Sequence, residues 1–143
     1  MVTSAAPDYL EEWGEPKTRN GLVNHSGVNF LSGQSNRPLS WYFRSKGADQ
    51  PYTCRGTIIV NESNAYVHCV VAGFGIIQAP GSTVDASLAS GELVEVLQPY
   101  RPTRRKVSVL YPSRTHLAPQ VHVFADWLRQ HFPAFHPAWF KAQ

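Results

Sequence analysis

The sequence predicts an α/β domain. Three observations carry that reading. The stretch Val60 to Pro80 reads as strand end, capped helix, glycine break and buried strand. Short runs rich in β-branched and aromatic residues, Val28–Leu31 and Trp41–Arg44, are bounded by polar turns. The last third holds one amphipathic helix, with Val121, Phe124, Ala125, Leu128 and Phe132 spaced three and four apart. Eleven prolines and ten glycines favour many short elements over long helices. The length of 143 residues suits one domain with a core.

In chain order, Pro7 to Gly14 reads as a short helix, with proline at its first position and glycine at its end. Residues 20–24 read as a loop or single turn that tucks Leu22 and Val23 inward. Val28–Leu31 and Trp41–Arg44 are strands, Lys46–Pro51 is a hairpin tip, and Tyr52–Val60 is a third strand in which Gly56 marks a bulge. Asn61 is the expected N-cap of the central helix, with Glu62 favouring the positive end of its dipole. That helix is apolar on nearly every side except His68, so burial on more than one face is expected. Gly73 is its left-handed stop, and Gly75 allows close backbone approach. Ser82 and Asp85 resemble a capping box for a helix ending near Ala89, before Gly91. Glu92–Leu97 reads as an edge strand. Residues 98–102 form a stiff, proline-containing crossing, and Lys106–Pro112 is a strand. The last helix opens at Pro119 and runs to about Phe132, with Asp126 able to pair with Arg129 or Gln130.

Composition excludes several functions. The net charge is only +3, and Arg104-Arg105-Lys106 is the longest basic run, read as a solvated strand entry. A nucleic-acid surface needs a broader basic face. Two cysteines, Cys54 and Cys69, make no disulfide framework. The cytoplasm is therefore the expected compartment. No signal peptide is visible at the N-terminus, and no apolar stretch is long enough for a membrane helix. His116 with His122, and His131 with His136, lack the spacing that presents two metal ligands on one face. Cys69 follows His68 directly, so on a helix the two diverge. Ser82 lacks a nucleophile-elbow context. No phosphate-binding glycine loop occurs. The expectation is no enzyme, no metal and no cofactor. The polar loop Ser32–Ser35, the helix start at Asn61–Glu62 and the edge at Gln78 instead suggest hydrogen-bonding ends that could hold a small anion or polar organic ligand.

The runs Asn29-Phe30, Ser32-Gly33 and Arg37-Pro38-Leu39-Ser40-Trp41 resemble a segment of LysR-type transcriptional regulators. Val60-Asn61, Ala65, Ala72-Gly73-Phe74-Gly75-Ile76 and Pro80 resemble another. Leu88-Ala89-Ser90-Gly91-Glu92-Leu93-Val94, Val107 to Pro112 and the helix after Leu117-Ala118-Pro119 resemble further ones, as do Ala6 to Leu10 and Gly14 to Pro16. These segments lie in family order over nearly the whole chain. The resemblance implies a two-lobed effector-binding domain of type 2 periplasmic-binding-protein-like fold. This chain would contribute mainly lobe two, residues 7–100, and the returning strand and helix of lobe one, residues 103–132, followed by a tail over 133–143. It would lack the winged helix through which such regulators bind DNA and the first part of lobe one. The stripe Val121, Phe124, Leu128 would then be exposed or covered by a second copy.

The implied function is effector sensing. A small organic molecule binds between lobes and selects the geometry of a homodimer. Lobe two would offer Leu31, Ser32, Gly33, Asn61, Glu62, Phe74, Gly75 and Gln78. No membrane partner is expected. The alternative is a solute-binding protein of the same fold serving transport.

Overall fold

The structure, a computed structural model, describes residues 1–104, 108, 110 and 119–135. Its elements are strand β1 (Val2–Ala5), helix α1 (Pro7–Trp13), strands β2 (Asn29–Phe30), β3 (Trp41–Ser45), β4 (Ala48–Tyr52) and β5 (Ile59–Val60), helix α2 (Ser63–Val71), strand β6 (Ile76–Ala79), helix α3 (Gly81–Ser90), strand β7 (Val94–Val96) and helix α4 (Pro119–Phe135). Short 3-10 turns cover Arg19–Asn24 and Gln98–Tyr100. The chain divides into two units, Met1–Arg104 and Arg105–Gln143.

The core of the first unit is a sheet centred on β1 and β6. β1 pairs antiparallel with β6 through Val2↔Ala79 to Ala5↔Ile76, and with β7 through Thr3↔Val96 to Ala5↔Val94. A parallel bridge between Gly27 and Ile76 brings the strand containing β2 alongside β6, and β2 pairs parallel with β5. The sequence reading places no strand before Pro7, yet every residue of β1 is buried. Ser4 and Ala5 are weak strand formers, so this strand exists because β6 and β7 enclose it on both sides.

Helix α1 matches its expected bounds, and Gly14 closes it at φ +79°. Of the pair expected to tuck inward after it, Leu22 is buried and Val23 is exposed. Tyr9 anchors the helix. Its phenol oxygen accepts the Ser26 N–H at 3.0 Å and lies 3.3 Å from Nδ1 of buried His25. An unprotonated Nδ1 receives the phenol hydrogen; protonation would set two donors face to face. Burial lowers the His25 pKa and raises that of Tyr9. The unfolded chain therefore takes up a proton first as pH falls. Unfolding free energy should be level above neutrality on this account and decline below about pH 6.5. Equilibrium denaturation across pH 5–8 checks it: His25→Gln should flatten this part of the decline, and an unchanged slope would contradict it.

The hairpin is tighter than expected. Only Lys46 and Gly47 turn, both at positive φ (51° and 81°), which suits the twist of a two-residue loop. The expected tip residues Ala48–Pro51 are in β4, where Pro51 is tolerated because, among the described residues, this sheet has two strands and both are edges. The third strand is correspondingly broken. Tyr52 ends β4, and the chain then crosses over Gly27, whose N–H donates to the Arg55 carbonyl at 2.6 Å. A Cβ at Gly56 would lie 1.7 Å from the Gly27 oxygen, so Gly56 marks a close backbone crossing. Cys54 is buried at this crossing, with its thiol pushed up to about 12 by burial.

Helix α2 begins later than expected. Glu62, not Asn61, is the N-cap: its two carboxylate oxygens accept the Asn64 and Ala65 N–H groups at 2.8 and 2.7 Å. A carboxylate can serve two amides at once, which the shorter Asn61 side chain one residue earlier does not do here. Only Tyr66 and Val70 are fully buried, so α2 shows one buried stripe rather than several buried faces. Its end is a Schellman closure, with Gly73 N–H on the Val70 carbonyl and Phe74 N–H on that of Cys69, both at 3.0 Å.

Helix α3 starts at Gly81 directly after Pro80, with no side-chain cap. The expected Ser82–Asp85 capping box is therefore not formed, because Ser82 already lies inside the first turn. Gly91 closes α3 at φ +82°. Among the described residues β7 is an edge strand, as expected. In the second unit α4 extends to Phe135, and Arg129 pairs with Asp126 at 2.7 Å. Val121 and Phe124 are exposed and Leu128 is half-buried. Apart from residues 108 and 110, the strand expected over 106–112 lies outside the described residues, as do Trp139 and Phe140 of the tail.

Candidate functional site

β2, β5 and β6 run in the same direction, so their carboxyl ends share one edge of the sheet. Leu31 follows β2, and its N–H donates to the Val60 carbonyl at 2.7 Å. That bond sets Leu31–Gly33 beside Asn61–Glu62, which follow β5. β6 ends at Ala79 and delivers the start of α3, Pro80–Gly81, to the same edge.

Five of the eight expected site residues, Leu31, Ser32, Gly33, Asn61 and Glu62, therefore converge. Phe74 and Gly75 do not. They precede β6 and lie at the opposite end of the sheet, separated by four strand residues, about 13 Å. Phe74 is exposed, and Gly75, at φ +143°, carries its hydrogen against the Ser26 carbonyl, where a Cβ would come within 2.2 Å. The direction of β6 thus sets Phe74 and Gly75 apart from the other expected residues. Gln78 is near the shared edge but is 4% exposed. Its Oε1 accepts the Tyr42 N–H at 2.7 Å and its Nε2 donates to the Tyr42 carbonyl at 2.9 Å and to Thr3 Oγ1 at 3.4 Å. It works as a peptide mimic holding β3 and has little left to offer a ligand.

The chemistry of the edge is specific. Ser32 Oγ accepts the Gln34 and Ser35 N–H groups, both at 3.3 Å, and Ser32 N–H donates to the Arg37 carbonyl, which fixes the polar loop. Glu62 is fully exposed. The Asn64 and Ala65 amides hold its carboxyl below the usual range. The first-turn amides of α2 are thus already satisfied, and a negative group stands over them. At α3 the Thr83 N–H returns to the Pro80 carbonyl at 3.0 Å, and no side chain caps Gly81 or Ser82. The edge therefore presents a carboxylate at one helix start and uncapped amides at the next. The sequence reading misses Pro80–Gly81. The signal was available, because a proline before the first helical residue leaves no side-chain oxygen to cap the turn.

Comparison with known proteins gives the family. The family model described as LysR substrate binding domain matches residues 1–133. An uncharacterised HTH-type transcriptional regulator of Escherichia coli K12, YhjC, is 35% identical over 128 residues, covering 90% of this chain and 43% of that regulator. The HTH-type transcriptional activator AaeR of the same strain is 28% identical over 134 residues, covering 92% of this chain and 42% of AaeR. The chain thus spans less than half the length of these relatives. Among solved structures, the regulatory domain of AphB from Vibrio vulnificus treated with cumene hydroperoxide aligns at TM-score 0.73 with 25% identity, over 89% of this chain and 62% of that one. The regulatory domain of CrgA from Neisseria meningitidis aligns at TM-score 0.68 with 22% identity, over 90% and 63%, and shares the fold. The relatives named are transcription regulators, which favours the regulatory reading over transport.

Proposed function

The chain belongs to the LysR substrate binding domain family, and on that premise we propose that it senses a small organic effector for a DNA-binding regulator. Its fold is of the type 2 periplasmic-binding-protein-like class. The observation that carries the reading is the shared edge of β2, β5 and β6, where open α/β sheets take their ligands. Leu31, Ser32, Gly33, Asn61 and Glu62 contact the effector. Gln78 positions the neighbouring hairpin. The uncapped Gly81 and Ser82 amides suit a carboxylate or similar acceptor, and the Glu62 carboxylate suits a donor such as an ammonium or hydroxyl. A ligand carrying both groups matches the edge better than a simple anion.

The first unit is read as lobe two, and the second unit contributes to lobe one. Effector binding shifts the balance of lobe arrangements by its differential affinity, and so selects the geometry of a homodimer. DNA is contacted through a winged helix outside this sequence. The chain works in the cytoplasm and catalyses no reaction. No helix among the described residues is long and apolar enough to cross a membrane.

Calorimetry tests the site. The regulator carrying this domain is titrated with a panel of small hydroxy and amino acids, and the tightest binder is then titrated against Asn61→Ala. Affinity should fall about tenfold, the worth of one good hydrogen bond to a polar ligand. Unchanged affinity removes Asn61 from the site.

A further inference from the structure

Among the described residues the β3–β4 hairpin pairs with no other strand, yet it is tied to the rest of the first unit at two separate places. Near the sheet edge, the Gln78 amide grips both polar groups of the Tyr42 backbone. The same corner is reinforced by Tyr66, whose hydroxyl donates to the Gln78 carbonyl at 3.2 Å and receives a hydrogen bond from the Trp41 side chain. On the outer strand, Asp49 holds Thr103. The Thr103 N–H lies 3.1 and 3.0 Å from the two carboxylate oxygens, and its hydroxyl donates to Oδ1 at 3.1 Å. Arg44, paired across the hairpin with Asp49, donates to the same hydroxyl oxygen and stands 3.9 Å from the carboxylate.

Thr103 is one residue from the boundary of the first unit, so Asp49 grips the chain where it leaves that unit. A carboxylate accepting a backbone N–H and a hydroxyl, with a guanidinium beside it, is a charge-assisted arrangement stronger than an ordinary turn contact. Trp41 and Phe43 are buried, so the hairpin cannot slide freely.

We propose that this hairpin is a brace, with Gln78, Asp49 and Thr103 as positioning residues that couple the ligand edge of the sheet to the exit of the chain. Its purpose rests on the effector-sensing reading, because a domain that selects between lobe arrangements needs its crossing segment to follow the state of the site. Its test does not need an effector, so a negative result leaves that reading standing.

The test is residue-resolved hydrogen exchange of the full chain. Asp49→Ala removes a half-exposed side chain and leaves the core intact. The Thr103 amide should exchange about tenfold faster. The Tyr42 amide, which Asp49 does not touch, should exchange about threefold faster, while those of Val28 and Ile76 in the core sheet keep their rates. Gln78→Met fills the same space without the hydrogen bonds and should speed exchange at Thr103 in return. An unchanged Tyr42 rate in Asp49→Ala overturns the brace, and so does equal acceleration at Val28 and Ile76, which would mean general loosening. If Gln78→Met does not fold, the Asp49→Ala result decides alone.

Discussion

Replacing Gly75 by alanine should destabilise the first unit by about 3 kcal/mol. Two effects add. The backbone at Gly75 has φ +143°, a region that side-chain-bearing residues rarely adopt. The added Cβ would also meet the Ser26 oxygen at 2.2 Å and its carbonyl carbon at 2.9 Å. Neither contact is with a flexible side-chain tip, so relief requires the β6 end and the strand before β2 to separate. That separation would break the Ile76 N–H to Ser26 carbonyl bond of 2.9 Å and strain the Val28 N–H to Ile76 carbonyl bond of the same length. Those bonds join the two parts of the core sheet. Chemical denaturation should show the loss as a lower midpoint with the slope retained. Gly33→Ala, where a Cβ meets nothing within 4 Å and φ is not in that region, should change the midpoint little. Equal midpoints for Gly75→Ala and the unaltered protein would contradict the packing described.

Phe43→Ala should cost a similar or larger amount, about 3–4 kcal/mol. Phe43 is 1% exposed and is the largest fully buried side chain among the described residues. Its ring packs edge-on to Tyr52 at 5.8 Å, joining β3 to β4. Truncation loses that contact, the burial and the docking of the hairpin together. Tyr42→Ala, on the less buried side of the strand, should cost clearly less. Its hold on Gln78 is through the backbone, which alanine retains. Thermal unfolding of the two variants side by side separates side-chain burial from backbone clamping.

Much of this architecture is legible in the sequence where one residue settles the local geometry. Gly14, Gly73 and Gly91 end helices because each carries positive φ. The alternation Trp41, Tyr42, Phe43, Arg44 gives a strand with one buried side. The errors arise where partners distant in sequence decide. Ser4 and Ala5 have little strand preference of their own, and Val2–Ala5 is held by Ile76–Ala79 and Val94–Val96. Glu62 outcompetes Asn61 as a cap through two acceptor atoms, and so shifts the helix start. The break after Tyr52 depends on Gly56 crossing Gly27. The site divides the same way. Leu31–Gly33 and Asn61–Glu62 follow strands recognisable by pattern, and parallel pairing brings them together. Gln78 is polar and near the edge, but only the fold reveals that Tyr42 occupies it. Phe74 and Gly75 adjoin β6 at the end away from Leu31–Gly33 and Asn61–Glu62, a separation that only strand direction reveals.

The most direct measurement is hydrogen exchange of the regulator with and without the tightest-binding acid of the calorimetric panel. Effector binding at the shared strand edge predicts slowed exchange at Ser32–Ser35, Asn61–Ala65 and Gly81–Thr83, with Gly73–Gly75 unaffected. Protection centred on Gly73–Gly75, with none at the three strand ends, would contradict the account.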